Sequence, residues 1–474
     1  MVLSKAKNGA GVAILALADF LSLLLLFYLA GLIRINVLPL IFDDLPSFLP
    51  SFKKYFWIFP VWLAVFSAEG LYSKRLSFWD EIKLLIQATA ITMIVIFSVL
   101  FISKKGPEFS RILVITLGAL SVFALPVIRP NVKKLIYAAG LMKRKVLIVG
   151  SGENAAKILK ALSNEKNLGY EIAGFIDDGG NDKVGDYRVH RGIDKIENYI
   201  KSSKINDVII TKENLSGEDL ADLINHVQHK AENTLYIPDF SGIAVSGTEL
   251  KYFFTEQAIA IEIKNNLAQP LIYLSKRVMD YIFCLLISPF LLIPLLLISL
   301  AIRFTTKSRA LYKQKRFGKG GKTFLCYKFQ TMYPDAEARL KHILDSDPAL
   351  KEEFEKHWKL KNDPRVTPIG VFLRKTSLDE LPQILNIFKG EMSLVGPRPL
   401  PDESMKLYPP EETPFYYMVP PGITGLWQVS GRSNTSFEYH ASLNSWYVKN
   451  WNLWLDIVIL FKTVSTVLKR EGAC

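Results

Sequence analysis

The chain has 474 residues, half of them hydrophobic, a formal charge of +13 and three cysteines. That length allows about three domains, and several long apolar runs make it an integral membrane protein. Cys284, Cys326 and Cys474 share no metal-ligand or disulfide spacing. The Lys and Arg excess sits beside the apolar runs with no nucleic-acid-binding module, which argues for anionic lipid headgroups and against a nucleic acid partner.

Four apolar stretches come first, at about residues 11–33, 55–71, 82–102 and 112–128, each near the length that spans a bilayer. The first is too long for a cleavable signal and lacks a small-residue cleavage site. Lys5 and Lys7 precede it, Lys74, Arg75 and Lys83 separate the second from the third, and Arg129, Lys133, Lys134, Lys143, Arg144 and Lys145 follow the fourth. This spacing predicts a four-helix transmembrane bundle over residues 1–142 with both ends cytoplasmic. Asp19 and Glu69 lie in or at the edge of spans, where an acid is a functional candidate by default. Without paired broken helices or further buried charges they read as polar contacts between helices.

Lys145-Val146-Leu147-Ile148-Val149 followed by Gly150-Ser151-Gly152-Glu153-Asn154-Ala155 reads as a buried strand, a glycine turn and a helix start. The G-x-G-x-x-A pattern of Gly150, Gly152 and Ala155 can bring backbone N–H groups to a phosphate. Strands are expected at 170–176, 207–211 and 234–237, alternating with helices, so residues 143–265 form a Rossmann-like parallel α/β domain. The segment is short for a complete dinucleotide fold and carries no acid–base set. Structural or regulatory use is therefore the leading reading, a uridine nucleotide ligand the second, and a nicotinamide-dependent redox enzyme a third.

Lys276-Arg277 precedes an apolar run from 278 to 302, and Arg303, Lys307 and Arg309 follow it. Positive charge at both ends, with Ser288-Pro289 and Pro294 inside, predicts a re-entrant helix over about 276–303, with a kinked spanning helix as the alternative. Proline removes a donor and breaks the helix ladder, and a nearby serine can satisfy a freed carbonyl. Re-entry also keeps the downstream region on the cytoplasmic side after four spans.

Residues 311–317 and 323–329 read as a hairpin around Gly318-Lys319-Gly320-Gly321, carrying Lys313, Lys315, Arg316 and Lys328. Residues 334–360 read as helices on a solvated face. Then comes Arg374-Lys375-Thr376-Ser377-Leu378-Asp379-Glu380-Leu381-Pro382-Gln383. Helical neighbours point about 100° apart, so Asp379 and Glu380 are expected to hold distinct roles rather than share one proton. A carboxylate near its ordinary pKa of about 4 is ionised at neutral pH and can act as a nucleophile without a base. Downstream stand Gly396-Pro397-Arg398-Pro399 and Pro420-Pro421-Gly422-Ile423-Thr424-Gly425-Leu426-Trp427-Gln428-Val429-Ser430-Gly431-Arg432. Gly422, Gly425 and Gly431 suggest tight turns. The tail, with Trp446, Tyr447, Trp451 and Trp454, suits a membrane interface or a core stripe.

These three motifs in this order resemble the bacterial monotopic phosphoglycosyl transferases, in their long form, over about Leu271 to the C-terminus. The ending Trp446-Tyr447-Val448-Lys449-Asn450-Trp451 with Leu455-Asp456-Ile457 looks most like the undecaprenyl-phosphate galactose phosphotransferases of O-antigen and capsule assembly. The resemblance implies a C-terminal catalytic domain over 266–474 with a re-entrant membrane helix. It implies transfer of a sugar 1-phosphate from a UDP-sugar to undecaprenyl phosphate, UDP-galactose leading and UDP-glucose second. It assigns Asp379 as nucleophile and Glu380 as the ligand of Mg2+. Lys328, Arg374 and Arg398 are implied at the phosphates and Arg432 at the nucleotide. Where the family often carries Arg, this chain has Gln330, which loses a cation. The expected place is the bacterial inner membrane with the site facing the cytoplasm. A homodimer is compatible with the layout and not required by it. The non-enzymatic alternatives are a membrane scaffold or nucleotide sensor for glycan assembly.

Overall fold

The structure is a computed structural model that describes residues 2–41, 51–103, 109–213, 215–238, 249–253, 258–262, 266–348, 350–352, 360, 363–430 and 436–469. It divides into two compact units, Met1–Asp239 and Phe240–Cys474.

The first unit opens with three long apolar helices: α1 (Val2–Asn36), α4 (Phe78–Ile102) and α5 (Arg111–Ala138). Among the described residues between α1 and α4 stand a 3-10 turn (Leu38–Leu40) and the short helices α2 (Phe52–Tyr55) and α3 (Ile58–Ala68). The second expected span is thus built in two pieces: Phe56 and Trp57, between α2 and α3, keep helical φ/ψ, so the chain stays helical from Phe52 to Ala68. Pro60 explains the interruption, because it has no N–H for the Phe56 carbonyl and its ring crowds that group. Leu23, Phe27, Phe59, Trp62, Phe66, Ile96 and Leu117 pack inside the bundle, while Leu17, Leu21, Leu25, Phe123 and Val127 face outward.

Arg129 and Lys133, read from sequence as cations flanking a span, are core residues. Arg129 is 1 % exposed. It pairs with Asp19 and with Glu81 (2.8 Å) and donates to the Leu71 carbonyl; Lys133 pairs with Glu81 at 2.7 Å. Buried charges persist where partners satisfy them, and the two acids and two bases cancel. Asp19 is therefore an interhelical contact, supported by the Tyr72 hydroxyl, whereas Glu69 caps the end of α3 outside this network.

The α/β domain follows. Strands β1 (Arg144–Val149), β2 (Tyr170–Ile176), β3 (Lys183–Val184), β4 (Tyr187–His190), β5 (Asp207–Ile210) and β6 (Asn233–Tyr236) form one sheet in the order β3-β4-β2-β1-β5-β6. It is parallel except for β3. Val146–Val149 are fully buried, as a strand covered on both faces requires. Helix α6 (Glu153–Asn164) starts directly after the glycine turn, α7 (Ile196–Ser202) precedes β5 and α8 (Gly217–Gln228) follows it, and in the second unit β7 (Glu249–Phe253) pairs antiparallel with β8 (Ala258–Glu262).

In the second unit, α9 (Pro270–Thr306) is a 37-residue helix, and helical structure continues through Ser288, Pro289 and Pro294. Pro289 orphans the carbonyl four residues back, and Ser288 Oγ donates to that carbonyl, Leu285 O, at 2.9 Å. At the start of α9, Lys276 and Arg277 are 0 % and 8 % exposed, so they too are interior residues rather than headgroup-facing cations. Lys276 Nζ donates to Asp456 (2.6 Å), the Val395 carbonyl (2.9 Å) and Tyr447 Oη (3.2 Å). Asp280 accepts from Ser393 Oγ and Leu394 N, and Arg277 reaches the Met392 carbonyl. Tyr447 and Trp451 lie in the same core, which decides most of the aromatic tail in favour of packing; Trp446 stays half exposed.

Candidate active site

The expected hairpin forms, β9 (Leu311–Phe317) antiparallel to β10 (Thr323–Phe329), with Gly320 and Gly321 at positive φ in the turn. Asn386 fixes β10 from the side, accepting from Tyr327 N and donating to Leu325 O. This places Lys328, paired across the hairpin with Tyr312.

Thr367 caps the helix Pro368–Thr376, accepting from Gly370 N at 3.0 Å, with Pro368 in the first turn. Ser377 ends it at φ +57, a left-handed conformation that a non-glycine residue adopts at some cost. The chain then enters a 3-10 turn, Leu378–Gln383, containing Asp379 and Glu380. Adjacent side chains diverge in such a turn, as separate roles require. Glu380 Oε1 accepts from Lys328 Nζ at 2.7 Å and Arg398 Nη2 at 3.0 Å. Arg374, one turn before, donates from Nε to Thr331 Oγ1.

Electrostatics separates the two carboxyls. Burial opposes ionisation of Glu380, but Arg398 and Lys328 outweigh it and hold the carboxyl down at about 2. Asp379 is pushed up, first by burial and then by the Glu380 charge, against Lys328, Arg374 and Arg398. One carboxylate is locked by cations; among the described residues its neighbour carries no such lock. Lys328, Arg374 and Arg398 leave a cationic rim suited to phosphate oxygens.

Arg398 is held by backbone packing that the glycines explain. Strands β11 (Ser393–Val395) and β12 (Gly422–Thr424) run parallel, so the Gly396-Pro397-Arg398-Pro399 turn lies against the Pro-Gly-Ile-Thr-Gly stretch. Gly396 N donates to Thr424 O and Gly422 N to Pro397 O. A Cβ on Gly422 would stand 2.1 Å from Gly396 N, and one on Gly425 2.2 Å from Gly396 O. Neither has positive φ. They serve close backbone approach, which corrects the expectation of tight turns; Gly431 and Arg432 lie outside the described residues. Tyr416 Oη supports the turn from below, accepting from Leu400 N.

Of the remaining expected residues, Gln330 turns its amide onto the Met332 carbonyl. Ser288 and Pro289 are on α9, away from the carboxylate pair in sequence and in role. Gly150, Gly152 and Ala155 belong to the other unit; the glycines form the turn between β1 and α6, and Ala155 lies in the first turn of α6. The sequence reading missed Lys276, Asp280 and Asp456, which hold the strand leading to Arg398. Their signal was weak, since charges beside an apolar run normally read as headgroup-facing. Among the described residues no three His, Cys, Asp or Glu side chains cluster as a metal-ligand set.

Residues 271–470 match the family model described as bacterial sugar transferase, and 67–238 the one described as CoA-binding domain. The UDP-galactose-lipid carrier transferase of Erwinia amylovora is 38 % identical over 405 residues, 85 % of this chain and 84 % of that protein. The undecaprenyl-phosphate galactose phosphotransferase of Salmonella typhimurium is 33 % identical over 468 residues, 97 % of this chain and 96 % of that protein. The exopolysaccharide production protein ExoY of Sinorhizobium fredii is 42 % identical over 206 residues, 43 % of this chain but 90 % of that protein. With the motifs in register, similarity along nearly the whole chain and the carboxylate pair set among cations, this chain belongs to the bacterial sugar transferase family.

Proposed function

We propose that this protein transfers galactose 1-phosphate from UDP-galactose to undecaprenyl phosphate, releasing UMP, as the first membrane step of a surface glycan. The observation that carries the reading is the pair itself: Glu380 fixed by Lys328 and Arg398, beside an Asp379 that no side chain among the described residues locks, with Arg374 adjacent. An ionised Asp379 attacks the sugar-bearing phosphorus; an oxygen–phosphorus bond forms, the bond to the UMP phosphate breaks, and UMP leaves with the electron pair. A phosphate oxygen of undecaprenyl phosphate then attacks the same phosphorus and Asp379 departs as carboxylate. No proton moves in either half, so no strong general acid is needed. The cationic rim neutralises the charge spread over the transferring phosphoryl oxygens.

Mg2+ fits this donor set in the form it commonly takes, one or two carboxylates completed by substrate phosphates and water. Among the described residues Glu380 spends Oε1 on two cations and leaves Oε2 for an ion, which would supply further neutralisation of the diphosphate. The same reading places the site on the cytoplasmic face of the inner membrane, where nucleotide sugars are made, with α9 entering and leaving one leaflet. UDP-glucose is the second donor: the UDP-glucose:undecaprenyl-phosphate glucose-1-phosphate transferase of Escherichia coli is 29 % identical over 340 residues.

The test is UMP release by purified membranes with Mg2+ and undecaprenyl phosphate, wild type against Asp379→Asn. UMP from UDP-galactose with wild type alone supports the reading. UMP with UDP-glucose alone keeps the chemistry and changes the sugar. No UMP from any UDP-sugar, with folded protein present, overturns it in favour of a scaffold or sensor.

A further inference from the structure

In an open parallel sheet, ligands bind outside the carboxyl ends of the strands where the strand order reverses. Here that place lies over β1, flanked by β2 on one side and β5 on the other. The glycine turn and the start of α6 stand there, and so does the segment after β5, Thr211-Lys212-Glu213. Glu213 Oε1 accepts from Asn154 N, in the first turn of α6, at 3.0 Å. A nucleotide phosphate in this fold would take that N–H.

Each residue of the fingerprint is answered from within the chain. Gly150 has φ +117, and a Cβ on it would meet Thr211 Oγ1 at 2.7 Å and Lys212 N at 2.9 Å. A Cβ on Gly152 would stand 3.1 Å from Glu213 Oε1. Ala155 is fully buried between α6 and the sheet. Asp177, at the end of β2 where a ribose would be read, accepts from Ser151 Oγ at 2.7 Å and lies 3.6 Å from Lys212 Nζ. The Asn181 side chain closes the same turn by donating to the Ser151 carbonyl. The family description of this region names coenzyme A, but the residues that would cradle its phosphates are already engaged.

We infer that Glu213 is a built-in carboxylate standing where a nucleotide phosphate would sit, so that this domain is a filled nucleotide fold and holds neither coenzyme A nor a dinucleotide. The glycines serve the approach of the β5 loop, and the domain acts as a rigid body. The inference is independent of the transferase reading, because it concerns the other unit.

The test is hydrogen exchange in the peptide covering residues 150–160 of the full chain in nanodiscs, with and without pyrophosphate or coenzyme A. These probes are scored only in that peptide, which keeps the cationic transferase site out of the readout. Wild type is expected to show no added protection from either probe. In Glu213→Ala the peptide should exchange about five-fold faster, the size of a lost helix N-cap, and pyrophosphate should restore the protection. Glu213→Gln, which keeps an acceptor, should lie between the two. Protection of wild type by coenzyme A or pyrophosphate overturns the inference. So does a Glu213→Ala protein that exchanges like wild type, or one that loosens but ignores pyrophosphate.

Discussion

Lys276→Met is the sharpest test of how the catalytic unit is built. Lys276 and Asp456 are both 0 % exposed. The ammonium has three protons and three acceptors: Asp456, the Val395 carbonyl and Tyr447 Oη. Methionine fills most of the volume but leaves the Asp456 charge without its cation. Breaking a buried pair from one side costs about 3–5 kcal/mol. For a unit of this size each kcal/mol moves the melting temperature about 2–4 °C, so a fall of roughly 6–20 °C is expected in a thermal melt of the purified protein. Replacing both partners, Lys276→Met with Asp456→Leu, should recover most of that loss, since no charge is then stranded and Tyr447 Oη can still donate to Val395 O. UMP release should follow the same order, because Val395 ends the strand that leads into Arg398. A single variant that melts like wild type, or a double variant no better than the single one, would refute the reasoning.

Asp379→Asn should abolish both UMP release and the capture of radiolabelled sugar phosphate on the protein, with the fold intact by circular dichroism. Arg398→Met should lower turnover about 10²- to 10³-fold, the loss typical of one positioned charge-stabilising donor, measured as initial UMP release. Activity should fall on acidification at a pH above the ordinary carboxylate value of about 4, because Asp379 is raised and must be ionised to attack. The stability signs are opposite for the pair. Glu380, lowered to about 2, contributes stability above its unfolded value and loses it as pH falls toward 2. Asp379, raised, contributes below its unfolded value and loses it as pH rises through its folded one; melts across pH 2–6 read both. Gly422→Ala should yield little folded protein on size-exclusion chromatography, because its Cβ would meet backbone at 2.1 Å.

Local pattern made much of the architecture legible. The hairpin 311–317 and 323–329 and the strand 170–176 come directly from alternation, glycine turns and β-branched runs. At Ser288-Pro289 the serine satisfies the carbonyl its proline neighbour orphans, as expected, but the helix runs on through both residues where a break was expected. What failed was whatever depends on distant partners. Lys276, Arg277, Arg129 and Lys133 look like headgroup cations because hydropathy counts charge and cannot see Asp456, Asp280, Asp19 or Glu81 across the fold. Residues 55–71 read as one helix, whereas the structure divides the stretch into α2 and α3 just ahead of Pro60. In the site, the Asp379-Glu380 pair and Arg398 were visible as motifs. That Glu380 alone would take both Lys328 and Arg398 depends on how a 3-10 turn, a hairpin and a parallel strand pair meet.

The apolar cores respect the division into two units. Among the described residues, the clusters of the bundle and of the α/β sheet stay within the first, and those around Tyr447, Cys284, Tyr416 and Leu373 within the second. Each unit thus has an interior of its own to lose, and a cavity opened in one core falls first on the elements packed around it.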